Sequence, residues 1–153
     1  SQKIKKAADL REGAVVAIPN DPSNSGRALA LLARQGLLKL KDPGNIKSTA
    51  RDIVSNPKKL VIREIESAQL PRALPDVDLA LINTNYALEA KLDPGRDALF
   101  IEDGRNSPYA NFIAARKDNL QSPAIAKLVK TLHTPEVRKF IQDKYKGAVI
   151  PAF

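Results

Sequence analysis

The chain has 153 residues, 43% hydrophobic and 27% charged; that balance excludes a disordered chain, and no apolar run approaches the ~20 residues of a membrane-spanning helix. Cysteine is absent, which excludes disulfides, thiolate metal sites and cysteine nucleophiles. The net charge of +8 raises nucleic-acid binding, but aromatic residues are only 5% of the chain, too few for a base-stacking platform, and the basic stretches 37–63 and 116–146 flank an acidic one, so a solvated lysine-rich surface accounts for the charge.

Methionine is also absent, and the chain starts "SQKIKK", which points to a chain processed or cut from something longer. "KIKKAADLREG" reads as a short helix or turn ending at Gly13. "AVVAI" is a compact β-branched run and predicts a buried strand. "PNDPSNSG" is turn chemistry. "RALALLARQGLLKL" places Leu29, Leu32 and Ala33 at helical spacing, with Gly36 as the stop. "IKSTARDIVSNP" reads as a helix ending before Pro57. "KLVIREIE" alternates as a strand does, and "SAQLPRALPD" predicts a helical turn or two. "VDLALIN" is a further strand, followed by the short helix "TNYALEAKL". "DALFIED" and "YANFIAAR" are strand-like, with turn formers between them in "EDGRNSP", residues 102–108. The tail predicts two helices with Pro123 and Pro135 near their starts, where a missing N–H does no harm; Thr134 is the expected N-cap of the second. Alternating strands and helices predict an α/β fold with a mostly parallel sheet.

Three stretches suggest binding chemistry. A strand that turns into a helix leaves free N–H groups that favour an anion, and Arg27 adds a planar fork suited to a carboxylate or phosphate. Neither G-x-x-x-x-G-K-[ST] nor G-x-G-x-x-G occurs, which disfavours a nucleotide. The alternative is structural: Asn24 or Ser25 caps the helix and Arg27 pairs with a surface acid. Asn83 ends a predicted strand just before a helix, the edge where open α/β sheets bind ligands. Its amide both donates and accepts, although Asn83 or Thr84 would serve equally as an N-cap. Asn111 interrupts an apolar strand pattern and must find partners or face a ligand. Tyr86 and Tyr109 either line such a pocket or are core or rim residues.

Catalytic chemistry finds little support. His133 is the one histidine, at a helix end where capping suits it. Neither G-x-S-x-G nor H-E-x-x-H occurs. Asp76 and Asp78 sit at a strand entry, as turn residues do, and adjacent Glu102 and Asp103 would point to opposite sides of a strand, so neither pair forms an acid/base dyad. No enzyme activity and no cofactor or metal are expected.

Taken together, "VAIPNDPSNSGRALALL", "GLLKLKD", "AQLPRAL", "VDLALINTNYALEA", "EDGRNSPYANFIAARKDN" and "TPEVRKFIQDKYKGAVIPAF" resemble the methionine-binding lipoproteins of bacterial ABC importers, the NlpA-like family, in family order over nearly the whole chain. The resemblance implies a type II-like periplasmic binding protein with two α/β lobes. It implies capture of L-methionine or a related amino acid or dipeptide between them, and delivery to a membrane permease whose separate subunit hydrolyses ATP. A ligand-sensing or surface lipoprotein without transport is the alternative within the same fold. Arg27 would anchor the ligand carboxylate, Asn83 and Asn111 would contact the amino-acid head, and Asn24 and Tyr86 are further ligand candidates. Localisation would be periplasmic or at the outer cell surface, through an N-terminal lipid anchor that this chain does not carry. Family members are longer. Residues 1–104 would be the second lobe, and residues 105–153 the return crossing and C-terminal helices of an incomplete first lobe. This N-terminally truncated chain would then carry half a site, and helices such as "AIAKLVKTLH" would show an apolar face with little to bury it.

Overall fold

The computed structural model describes residues 1–104 and 107–153, which form two compact units, Ser1–Ile101 and Glu102–Phe153. In the first unit, a 3-10 turn over Ala7–Asp9 leads to strand β1, Val15–Pro19. Helix α1 spans Pro22–Arg34. Pro22 stands at its first position, where no N–H is needed, and it ends ahead of Gly36, which takes φ +71°, a left-handed turn that glycine enters at low cost. Strands β2, Lys39–Leu40, and β3, Ile53–Ser55, form an antiparallel pair. Strand β4 is Val61–Ile65 and β5 is Leu79–Ala80. Two short helices follow, α2 at Thr84–Glu89 and α3 at Pro94–Asp97.

The main sheet has the order β4–β1–β5, with both pairings parallel. β1 runs alongside β4 from Val15↔Val61 to Pro19↔Ile65. On its other edge it meets β5 at Val16↔Leu79 and Ala17↔Ala80. Val16, Ala17 and Ile18 are fully buried, as a central parallel strand covered on both faces requires. Side chains alternate along the strand. Val16 and Ile18 therefore join Leu29, Leu32 and Leu38 on one face, while Ala17 packs with Leu70 and Val77 on the other. The expected α/β arrangement around a mostly parallel sheet is present.

Asp78 clamps the start of the β1–β5 pairing. Its backbone N–H donates to Val15 O at 2.9 Å, and its carboxylate accepts the Val15 N–H at 2.8 Å. The side chain is only 12% exposed, with Arg11 at 3.6 Å. The acid expected as a turn residue is a buried tie between two strands.

Three expected elements differ. The helix expected from residue 46 to before Pro57 is instead a 3-10 turn at Ala50–Asp52 followed by β3. There the Asp52 carboxylate accepts from Thr49 N–H and Oγ1–H at 2.8 and 2.9 Å, which tightens the chain into one turn. β-branched Ile53 and Val54 then suit the extended backbone. The strand expected in "DALFIED" does not pair: Asp97 ends α3, and Leu99 and Phe100 pack against the core from irregular backbone. The strand expected in "YANFIAAR" is irregular too, and Phe112 is 87% exposed. An apolar alternation makes a strand only where a neighbouring edge accepts its hydrogen bonds. In "EDGRNSP", Arg105 and Asn106 lie outside the described residues.

The second unit holds helices α4, Pro123–Leu132, and α5, Pro135–Tyr145. Thr134 caps α5 as expected, its hydroxyl accepting the Val137 N–H at 3.3 Å. His133 ends α4, exposed, and stacks on Phe153 with ring centroids 4.7 Å apart. Neither helix buries a residue; Leu128, Leu132 and Phe140 are 45%, 40% and 56% exposed.

Two outcomes follow from this packing. Asp78→Ala leaves the half-buried Val15 N–H without its acceptor and lowers the unfolding free energy by about 1–3 kcal/mol, read from urea denaturation; an unchanged midpoint would refute the clamp. The bare apolar face of α4 and α5 drives self-association or partial unfolding of the tail. Sedimentation should show species larger than a monomer, or hydrogen exchange should find residues 123–145 poorly protected. A monomer with a protected tail contradicts this.

Candidate functional site

Parallel pairing brings the carboxyl ends of β1, β4 and β5 to one edge of the sheet. From β1 the chain enters Asn20 and Asp21, from β4 it enters Glu66 and Ser67, and beyond β5 it reaches Asn83. These residues, with Asn24, Asn85 and Tyr86, line a cleft of about 430 Å³. Glycine lets α1 pack closely against the loop between β2 and β3: a Cβ at Gly26 would overlap the carbonyl oxygen of Ile46.

Asp21 is the hub of the cleft. As the N-cap of α1 it accepts the Asn24 N–H at 3.0 Å. Its two carboxylate oxygens also accept Asn24 Nδ2 at 3.0 and 3.1 Å, and Oδ2 accepts Ser67 Oγ–H at 3.0 Å. Burial pushes its carboxyl up, but the hydrogen bonds from Asn24, Ser67 and the Ser23 backbone outweigh that and hold it below its usual 3.8. The cap is therefore Asp21, where Asn24 or Ser25 was expected. The anion that the free N–H groups of α1 were expected to attract is supplied by the chain itself.

Asn83 occupies the N-cap position of α2, yet its side chain makes no capping bond. Instead its Nδ2 donates to Asn24 Oδ1 at 2.9 Å. Its Oδ1 is buried and accepts no hydrogen bond. A buried acceptor left without a partner is costly. Tyr86, three residues on in α2 and on the same side as Asn83, adds a half-buried ring with a polar tip.

The structure thus brings together Asn24, Asn83 and Tyr86. Arg27 lies one helical turn beyond Asn24 in α1, half-buried, and is not among the residues that line the cleft. Asn111 belongs to the second unit and sits on exposed, irregular backbone, not on the expected strand. Among the described residues no group of three His, Asp or Glu side chains is placed to hold a metal ion, and no helix is long and apolar enough to cross a membrane.

The pattern of the NlpA lipoprotein family matches residues 1–153. The chain belongs to the NlpA lipoprotein family. It is 49% identical over 150 residues to "Probable D-methionine-binding lipoprotein MetQ" of Pasteurella multocida, a match covering 98% of this chain and 54% of that protein. Among solved structures it is similar to an ABC transporter periplasmic substrate-binding protein from Coxiella burnetii, with TM-score 0.91, 49% identity and coverage of 99% of this chain and 63% of that one. It is likewise similar to a nutrient binding protein from Burkholderia cenocepacia bound to methionine, with TM-score 0.92, 50% identity and coverage of 100% and 64%. The NlpA-family chain spans about half the length of the curated relatives it matches.

Asp21 and Ser67 escaped the sequence reading of this NlpA-family chain. The Asp-Pro step at residues 21–22 is an N-cap signal that locates Asp21. Nothing local locates Ser67, because its partner is 46 residues away. The pH dependence of Asp21 has a definite sign. Its folded pKa lies below its unfolded value, so its bonds stabilise fully above 3.8, and that stabilisation is lost as pH falls through the folded pKa. Urea unfolding repeated from pH about 5 down to about 2 should show a loss in the native chain that is smaller in Asp21→Asn. Identical acid profiles would contradict it.

Proposed function

We propose that this chain is the ligand-capturing part of an ABC-importer solute-binding lipoprotein. Its ligand is L-methionine or a closely related amino acid or dipeptide, and it delivers that ligand to a membrane permease served by a separate ATPase. The observation that carries the reading is the Asn83 amide: a buried, unpartnered acceptor in a polar cleft at the carboxyl edge of a parallel sheet, where α/β folds take small ligands. The names of the relatives, probable D-methionine-binding lipoprotein and ABC-transporter periplasmic substrate-binding protein, support the same ligand class. The family is one of substrate-binding lipoproteins, and the reading includes no chemical step.

In this reading Arg27 clamps the ligand carboxylate through a bidentate pair, since a desolvated carboxylate needs a charged partner. Asn83 meets the amino group and Tyr86 covers the head. Asn24 holds Asn83, and Asn111 is a further candidate for the amino-acid head. Residues 1–104 correspond to the second lobe of the longer relatives and 105–153 to the C-terminal part of the other. The full-length protein works in the periplasm or at the outer cell surface, held by a lipid anchor.

Thermal unfolding against an amino-acid panel tests the reading. At a ligand concentration about 100 times Kd, binding to the folded state alone adds about 2.7 kcal/mol, a rise of several degrees in Tm. L-methionine is expected to give that rise, and Arg27→Ala to abolish it. A panel that leaves Tm unmoved counts against capture by this chain.

A further inference from the structure

The cleft has a direction built into its hydrogen bonds. An ionised carboxylate accepts and cannot donate. Asn24 therefore must turn the nitrogen end of its amide to Asp21, as it does at 3.0 and 3.1 Å. Its oxygen end is then committed to the other side, where it meets Asn83 at 2.9 Å. An amide oxygen only accepts, so Asn83 must in turn offer its nitrogen there. The oxygen of Asn83 is what remains, buried and without a partner. Reversing Asn83 would set oxygen against oxygen, and reversing Asn24 would set oxygen against carboxylate. One negative charge at Asp21 thus propagates through two neutral amides and fixes which atom the second one leaves available.

We propose that Asp21 is a positioning residue: through Asn24 it holds the Asn83 amide so that the cleft presents an acceptor, and it thereby selects ligands carrying a donor, a cationic amino group above all. This rests on the amino-acid reading for the identity of the ligand, though not for the orientation of the amides. The remaining lining fits a cation. Glu66 is the second acid in the cleft, and among the described residues neither Lys nor Arg lines it. The donors from Ser67 and the Asn24 backbone occupy other lone pairs of Asp21, which pins the carboxylate and keeps it from following a rotated Asn24. Hydrogen bonds hold the Asp21 carboxyl below its usual 3.8, so the relay keeps its charge through the neutral range.

The test has two arms on the 153-residue chain. The first follows hydrogen exchange of the side-chain NH2 groups of Asn24 and Asn83 by 1H–15N NMR, without ligand. Both should exchange slowly. Asp21→Ser keeps an N-cap of similar quality but loses the charge and the second acceptor oxygen that hold Asn24 Nδ2, and it should speed exchange at Asn83 by about tenfold. A role confined to capping α1 predicts no change at Asn83 in that variant. Rapid exchange at Asn83 in the unaltered chain, or equal protection in Asp21→Ser, overturns the proposal. The second arm compares the affinity for L-methionine with that for its 2-oxo acid, whose carbonyl accepts and cannot donate. Asp21→Asn, nearly isosteric and also a good cap, allows the amides to reverse. The preference for L-methionine should fall by about tenfold or more; an unchanged preference overturns the selective role. Binding of neither compound by the unaltered chain tells against amino-acid capture and against selection alike, while the exchange arm decides the orientation by itself.

Discussion

The pairing of β1 on both edges is the constraint from which the rest of the first unit follows. A strand with Val16, Ala17 and Ile18 fully buried has no water to satisfy its backbone, so both edges must be paired. Because both partners run parallel to it, the three carboxyl ends fall at one side of the sheet. Asp78 sets the register on the β5 side by accepting the Val15 N–H. A slip of one residue would turn Ala17 toward α1 and Val16 toward Leu70, exchanging small for large on both faces. The polar groups of the cleft come from segments 46 to 59 residues apart in sequence. Only this register makes them neighbours.

Polarity in the cleft is organised from one charge. Asp21 gathers backbone and side-chain donors at the start of α1, and its requirement for donors orders the amides behind it. A network of this kind is rigid because each member has one allowed direction. It also leaves one atom short of a partner, at Asn83. Membership of the NlpA lipoprotein family and that unfilled acceptor are the two observations on which the proposed ligand role of the cleft rests.

The second unit obeys a different balance. Its helices are well specified locally: prolines at their first positions, a threonine cap at Thr134, a left-handed Lys146 at φ +46° closing α5. An i,i+4 pair, Lys139 with Asp143 at 2.7 Å, adds a few tenths of a kcal/mol at an exposed site. Local signals suffice to start and stop a helix, but most helical stability comes from burying one face. Here Leu128, Leu132 and Phe140 stay open to solvent.

Sequence by itself determined the elements whose signals are local. Strand β1 is a β-branched run, α1 carries a 3.6-residue period, and the helices of the tail start at Pro123 and after Thr134. The family motifs also named Asn24, Asn83 and Tyr86, which the fold gathers in one cleft. Tertiary structure alone decided what depends on partners distant in sequence. "YANFIAAR" carries the alternation of a strand, yet no edge receives it. "IKSTARDIVSNP" carries a helical pattern, yet Asp52 closes a single turn and β2 draws Ile53–Ser55 into a pair. Asp78 became a clamp because Val15 lies beside it. Asp21 became the hub because Ser67 and, through Asn24, Asn83 reach it. The reason is common to all four: a periodic pattern states which side of a segment avoids water, whereas a hydrogen-bonding group takes its role from the donor or acceptor that the fold sets opposite it.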